Sequence, residues 1–406
     1  MQGCMRAAAC LLLLAACATR DSRLATVIDT LPGGIPVVHN IAPVQWADTN
    51  GWRYVAIGQI TTGDTSAAGL GNPGLSAAMD DEGWVYLEDQ APAVIKVFDS
   101  TGRFVRTIGR EGDGPGEYRS PILMIHGAHL IVQNPRLARI SVFDTSGALI
   151  RSFRSTCCYF GSTYVDDSSH VYVWASGATH PEYSEAFLRF ALGGELLDTV
   201  WIPRGGEEAL WKLERRGSMA TWSIPGAPFD AAAFTPTGHY VHAWSADYRL
   251  AIQSNVHDTV LVFDKPFEKV VVPEAKRRAA YDATIASATK GWGVEAVARA
   301  FHLEDIPATA NPIQSVSVDP DGFIHVQVPS ADTTRTLYDV FDSGGIWQGT
   351  IRAPWPASGS VVWRSHGRIL VRQEDADGLP EFVVYRLDDG GQGGQGGQDR
   401  RSGKAR

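Results

Sequence analysis

The stretch "VFDSTGRFVRTIG", Val97–Gly109, returns 45 residues later as "VFDTSGALIRSF" from Val142, and again as "VFDSGGIWQGTI" from Val340. Each copy is a β-rich run, a small polar turn with glycine and a second β-rich run, the composition of two strands joined by a tight turn. Weaker copies are "VFDKPFEKVVV" at Val262, "RFALGGELLDTV" at Arg189 and "VYRLDDGG" at Val384, which makes six. Ahead of each copy stands a turn residue and another short β-rich run: "GWVYL" at Gly83, "GAHLIV" at Gly127, "SHVYV" at Ser169, "GHYVHA" at Gly238, "GFIHV" at Gly322 and "GRILV" at Gly367. One more apolar strand lies upstream, as in "SVSVD" from Ser315. Such a unit cannot bury both of its faces alone, so neighbours must stack. Four strands per period of about 45 residues predict a β-propeller with one blade per repeat.

The last unit shows only three strands, near Val361, Ile369 and Phe382. The chain then runs into a Gly/Gln-rich tail, 389–406, that cannot bury a core and reads as a disordered end. The missing strand is available at the front, where "WRYVAIGQI" from Trp52 precedes "GLGNPG" as "RFVRTIG" precedes its own glycine-rich run. The expectation is an all-β, six-bladed β-propeller over 51–388, closed by this N-terminal strand pairing with the C-terminal blade. "TVIDTLPGGIPVVHN" from Thr26 reads as an additional hairpin. Two inserts break the period. "RGGEEALWKLERRGSMATW" separates copies three and four; "PEAKRRAAYDATIASATKGWGVEAVARAF" separates copies four and five. The Ala/Glu/Lys/Arg content of the second, behind Pro273, predicts a short helical insertion over about 273–303 between blades 4 and 5. Insertions of this kind gather on one face, often the binding face.

"GREGDGPGEYRSP", from Gly109, has the glycine density of a phosphate loop. Pro115 lacks an N–H, however, Asp113 and Glu117 would repel an anion, and a strand follows instead of a helix start. It reads as the connector from one blade to the next. A formal net charge of −9, with no basic run outside the last few residues, argues against a nucleic-acid partner, whose binding needs clustered Lys and Arg.

The first residues, "MQGCMRAAACLLLLAAC", carry one positive charge at Arg6 and an apolar run from Ala7 to Ala16. The run is too short to span a bilayer and suits a signal peptide over 1–16. "LAAC", Leu14–Cys17, resembles the lipobox of bacterial lipoproteins, which implies acylation at Cys17; a plain secretory signal is the alternative. On the lipoprotein reading, residues 17–50 form a lipidated N-terminus, linker and hairpin. Ala18 is not the Asp that favours inner-membrane retention, so the anchor is expected in the outer membrane, facing periplasm or exterior. Cys157 and Cys158 are adjacent, and either a vicinal disulfide or a reduced pair fits them.

Together, "GREGDGPGEYRSP", the turn-plus-strand phrases and "VFDSTGRFVRTIG" resemble six-bladed β-propellers of the NHL-repeat type, over roughly 24–388. "IDTLPGG", "GREGDGPGEY" and "VVYRL" are similar to a group of bacterial six-bladed propeller lipoproteins. The resemblance implies the fold. It is silent on activity, because propellers host lyases, lactonases, receptors and scaffolds.

Motifs for chemistry are sparse. Ser287 and Lys290 make S-x-x-K without its companion elements. His126 and His129 bracket a turn, whereas zincin ligands need H-E-x-x-H on a helix. "DADG" at Asp375 resembles part of a calcium loop, but Val384 stands where the closing Glu belongs. The loops after each second strand hold Glu88 and Asp89, Gln133 and Asn134, Gln327, and Gln373 with Glu374. These could ring an axial pocket and take a polar small molecule or a divalent cation; ordinary loop polarity is the competing account. No other cofactor is implied. The leading expectation is a non-enzymatic, monomeric binding or scaffold disc of the bacterial cell envelope, recognising a protein, peptide or glycan. The alternative is an extracytoplasmic metal-dependent hydrolase or lyase of the gluconolactonase-like or amidating-lyase-like propeller type.

Overall fold

The structure, a computed structural model, describes residues 25–46, 53–63, 66, 68–155, 163–175, 180–215, 217–332 and 334–388. It is a six-bladed propeller. Blade 1 comprises Pro73–Met79, Val85–Gln90, Ala93–Phe98 and Phe104–Ile108; blade 2, Ile122–His126, His129–Asn134, Arg139–Asp144 and Leu149–Arg154. Blade 3 comprises Thr163–Val165, Val171–Trp174, Tyr183–Phe190 and Leu196–Pro203; blade 4, Asp230–Phe234, Tyr240–Trp244, Arg249–Asn255 and Asp258–Asp264. Blade 5 comprises Ser315–Val318, Ile324–Val328, Arg335–Phe341 and Trp347–Pro356; blade 6, Ser360–Ser365, Arg368–Glu374, Pro380–Asp388 and the early strand Arg53–Thr61. We call the face where the chain enters each first strand the upper face.

The middle strands read as unbroken β-rich runs because both of their faces are covered. Val85 and Leu87 of blade 1 pack with Leu370, Phe382 and Val384 of blade 6, while Tyr86 packs with Leu123, Leu130 and Val132 of blade 2. The recurring "VFD" works through its carboxylate. Asp99 Oδ1 accepts the N–H groups of Thr101 (3.0 Å) and Arg103 (3.1 Å), and Asp342 Oδ1 those of Gly344 (3.0 Å) and Ile346 (2.9 Å). The same bonds form at the first-to-second turns from Asp80, Asp166 and Asp319. They also form at Asp375, so "DADG" is a hairpin turn.

The fourth copy is out of register with the others. Val262–Asp264 ends the outer strand of blade 4, and the hairpin lies earlier, turning at Asn255–Asp258. The reason is chemical: Pro266 removes an N–H and no glycine follows Asp264, so the turn forms where Asn255 Oδ1 can accept from His257 N–H (2.9 Å). The connector after blade 1 is pinned by Tyr118, whose hydroxyl donates to the Ile108 carbonyl and accepts from Ile95 N–H (3.1 Å). A Cβ on Gly109, at φ +67°, would sit 2.4 Å from that hydroxyl.

Ring closure follows the expected route. Arg53–Thr61 runs antiparallel to Pro380–Asp388, from Arg53 opposite Asp388 to Thr61 opposite Glu381. The hairpin Thr26–Leu31/Ile35–Asn40 adds to the outer edge of blade 4, Ile35–Asn40 running parallel to Asp258–Asp264. Asn40 then bridges to blade 5: its Nδ2 donates to the carbonyls of Asp264 (3.1 Å) and Gly345 (3.0 Å), and its Oδ1 accepts from Trp347 N–H (2.9 Å). The N–H groups of Val44, Gln45 and Trp46 bond to the carbonyls of Trp347 and Gln348. One N-terminal segment thus straps blades 4, 5 and 6 together.

The two inserts converge on the upper face. The first forms a hairpin, Leu210–Arg215/Ser218–Ser223, and the second the helices Glu274–Trp292 and Val294–Ala300. They share a core of Trp211, Leu213, Val297, Phe301 and Ile306, with Trp211 stacked on Phe301 at 4.2 Å. Neither insert could bury its apolar side alone.

Candidate functional site

The first strands surround the axis, and Trp363 of blade 6 lies across it. Its indole packs against the cores between blades 6 and 1, 1 and 2, and 2 and 3. Two cavities flank this plug. One, of about 250 Å³, lies at the lower ends of the first strands beside His126, Val165, Phe234 and Asp319. The other, of about 470 Å³, lies toward the upper face between blades 5 and 6, walled by Ser315, Ser317, Gln327, Tyr338 and Ser360. Val318, Trp363 and Arg364 belong to both walls.

Arg364 is half-buried. Its Nε–H donates to Ser317 Oγ (3.2 Å), and its Cζ lies 5.2 Å from the centroid of the Tyr338 ring. Tyr54, from the closing strand, bonds to the same guanidinium; burial pushes its hydroxyl up to about 12, so it stays neutral. Next to it, His325 is 2% exposed and its Nε2 lies 3.0 Å from Asp319 Oδ2. Burial first, and the Arg364 charge second, push the imidazole down to about 4 against the pull of Asp319.

That shift has a pH consequence. A histidine depressed from 6.5 to about 4 is unprotonated in the fold where the unfolded chain takes a proton. Stability is therefore present above about pH 6.5 and is lost as pH falls toward 4, by about 3 kcal/mol at most from this residue. Denaturant titrations at pH 7.5 and 4.5 should show His325→Gln flattening the acid loss; an unchanged slope would show that the titrating group lies elsewhere.

The candidate residues named from the sequence lie on strand ends instead of loops, because the second strands run further than the composition suggests. No hydrogen bond joins any two of the seven among the described residues. Glu88, 3% exposed, accepts from Gln90 Nε2 (3.4 Å), and burial raises its pKa. Burial also opposes ionisation of Asp89, but Lys96 Nζ at 2.9 Å and the N–H groups of Asn72 and Gly71 outweigh it, and its pKa is lowered. Gln133 Oε1 accepts from Thr163 Oγ1, and Gln373 Nε2 donates to Glu381 Oε1 (2.7 Å). Asn134 is 2% exposed, with no partner for either amide atom among the described residues. Glu374 is exposed. Gln327 lines the upper cavity and accepts from Ser315 Oγ (3.1 Å). Cys17, Cys157 and Cys158 lie outside the described residues. No three His, Cys, Asp or Glu side chains among the described residues are arranged to hold a metal ion.

A family model described as a 6-bladed beta-propeller matches residues 75–124. No curated protein matches the chain. Among solved structures it is similar to a Bacteroides fragilis protein inferred to be exported, at 10% identity and a TM-score of 0.46, over 87% of this chain and 99% of that one. A DUF4221-family protein of Bacteroides vulgatus is 9% identical with a TM-score of 0.42, over 84% and 99%. An aldose sugar dehydrogenase of Streptomyces coelicolor, with PQQ bound, is 13% identical with a TM-score of 0.42, over 86% and 100%.

Sequence reasoning missed Arg364, Trp363 and Tyr338. A signal was present in "SVVWRS", Ser360–Ser365: a cation ending an innermost strand, where the other five blades carry apolar or small residues or His126. Tyr338 was hidden inside a strand that reads as plain core.

Proposed function

We propose that this chain is a ligand-binding propeller of the bacterial cell envelope, held to the membrane through acylated Cys17 and exposed outside the cytoplasm. One observation carries the reading: the two cavities at the axis share a wall built from Arg364 and Trp363. A half-buried guanidinium beside aromatic rings is a group that recognises; it is a poor nucleophile or base, since it stays protonated. The neighbouring His325 is enclosed and held by Asp319, which leaves it positioned as a strut for the wall. The helix-and-hairpin module on the upper face adds a second surface on the side toward which the larger cavity lies.

The test is retention against turnover. The protein is incubated with polysaccharide and peptide fractions of a bacterial envelope, and bound and free molecules are compared by mass spectrometry. The expected result is a fraction retained and chemically unchanged. Molecules cleaved or eliminated in proportion to protein added would instead establish the hydrolase or lyase alternative.

A further inference from the structure

We infer that the Arg364 wall of the upper cavity recognises the carboxylate of an acidic sugar, a uronate unit of a glycan; this rests on the ligand-binding reading above. The first argument is charge. Buried Lys96 and half-buried Lys265 each have an aspartate oxygen, at 2.9 and 3.0 Å. Arg364 has none within the 4.0 Å ion-pair distance among the described residues. Asp319, on the shared lower wall, is committed elsewhere: its Oδ1 accepts from Asp321 (3.0 Å) and Phe323 (2.9 Å) N–H, and its Oδ2 faces His325. A partly desolvated cation without a counter-charge is costly, and a bound anion completes it.

The second argument is shape. Guanidinium offers five N–H donors in a planar fork that fits a carboxylate two-to-two. Ser317 takes the Nε–H, and Tyr338 lies against the guanidinium, so its orientation is set before any ligand arrives.

The third is the body of the site. Its walls carry the hydroxyls of Ser315, Ser317, Ser360 and Thr336 and the amide of Gln327, beside the rings of Trp363 and Tyr338. Hydroxyl partners with aromatic surface suit a sugar ring better than an acyl chain, which would want a wholly apolar lining. A volume of about 470 Å³ has room for a small saccharide.

The experiment uses the full chain and saturation-transfer NMR with isothermal titration. Probes are digalacturonate, its diamide, the neutral disaccharide cellobiose and a short peptide with a free C-terminal carboxylate. The expected result is that digalacturonate binds at least about tenfold more tightly than either neutral probe, the margin of a charge-assisted hydrogen-bond pair. Arg364→Gln should abolish that preference. Since that variant could fold poorly, Gln327→Ala serves as the second: it should weaken acid and amide by the same factor. Equal binding of acid and amide overturns the charge argument while leaving a binding cavity. Preference for a peptide with a free C-terminal carboxylate, with digalacturonate inert, overturns the sugar assignment. No binding of any probe overturns this inference, and the envelope-fraction experiment then judges the broader reading separately.

Discussion

A chain that begins at Ser66 is expected to lose its cooperative unfolding transition and to associate. It lacks Arg53–Thr61, so Pro380–Asp388 becomes an open edge, and it also lacks the segment that bonds to the outer strands of blades 4 and 5. An exposed edge strand is a template for pairing with another chain, and only closure removes it. The register supplies a rescue. Arg53 lies opposite Asp388, so residues 53–61 placed directly after 388 through a two-residue turn would form an ordinary hairpin in the native pairing. The rearranged chain should regain much of the full-length melting temperature and sediment as a monomer. Circular dichroism melts and ultracentrifugation check both. A truncated chain that melts sharply as a monomer would show that six blades hold without closure.

Asp339→Ala should destabilise the fold by about 3–5 kcal/mol, the cost of stranding a buried charge. Asp339 is 1% exposed and accepts from the hydroxyls of Tyr248 (2.5 Å) and Thr350 (2.5 Å), with Lys265 Nζ at 3.0 Å. The Lys265 ammonium in turn lies 4.0 Å from the Trp347 ring centroid. This knot joins blade 4 to blade 5, and removing the acid leaves half-buried Lys265 without that counter-ion. Replacing both, Lys265→Met with Asp339→Leu, should cost clearly less than the sum of the two single changes, because no charge is left unpaired. Urea titrations of the two single variants and the double one measure this. Additive losses would show that the pair acts as two independent contacts.

The two histidines of blades 5 and 6 show how differently one residue type behaves in this fold. His325 is enclosed and depressed. His366 is partly exposed at a turn on the lower face, where burial lowers its pKa but Asp321, at 2.6 Å, and Asp81 outweigh that and raise it. Its contribution runs the opposite way, present at low pH and lost as pH rises through its folded value. Both are a β-rich neighbour's histidine in the sequence. His325 lies within a strand that turns it into an inter-blade core, and His366 in a turn that leaves it at solvent beside two carboxylates.

The blade count, the closing strand and the helical insert were legible because they rest on local rules. Strand alternation spans two residues, a turn spans four, and the repeat multiplies both six times, so weak signals add. The misregistered fourth copy shows the limit: "VFD" was read as a turn start, and Pro266 with no glycine after Asp264 should have argued against it. The seven polar candidates show another, because a polar residue near a strand end reads the same whether it serves a neighbouring loop, as Asp89 does, or a cavity, as Gln327 does.

By itself, then, the sequence determined a closed disc of six sheets, with one strand borrowed from the front, because periodicity and turn chemistry are properties of neighbours along the chain. Only the tertiary structure decided where its chemistry sits. Ser317 and Tyr338 of blade 5 meet Arg364 of blade 6 when the two blades pack, and Tyr54 joins them only once the closing strand is in place. No spacing in the chain encodes that meeting, since it depends on which face of each strand turns toward the axis and on how far a long side chain reaches across it.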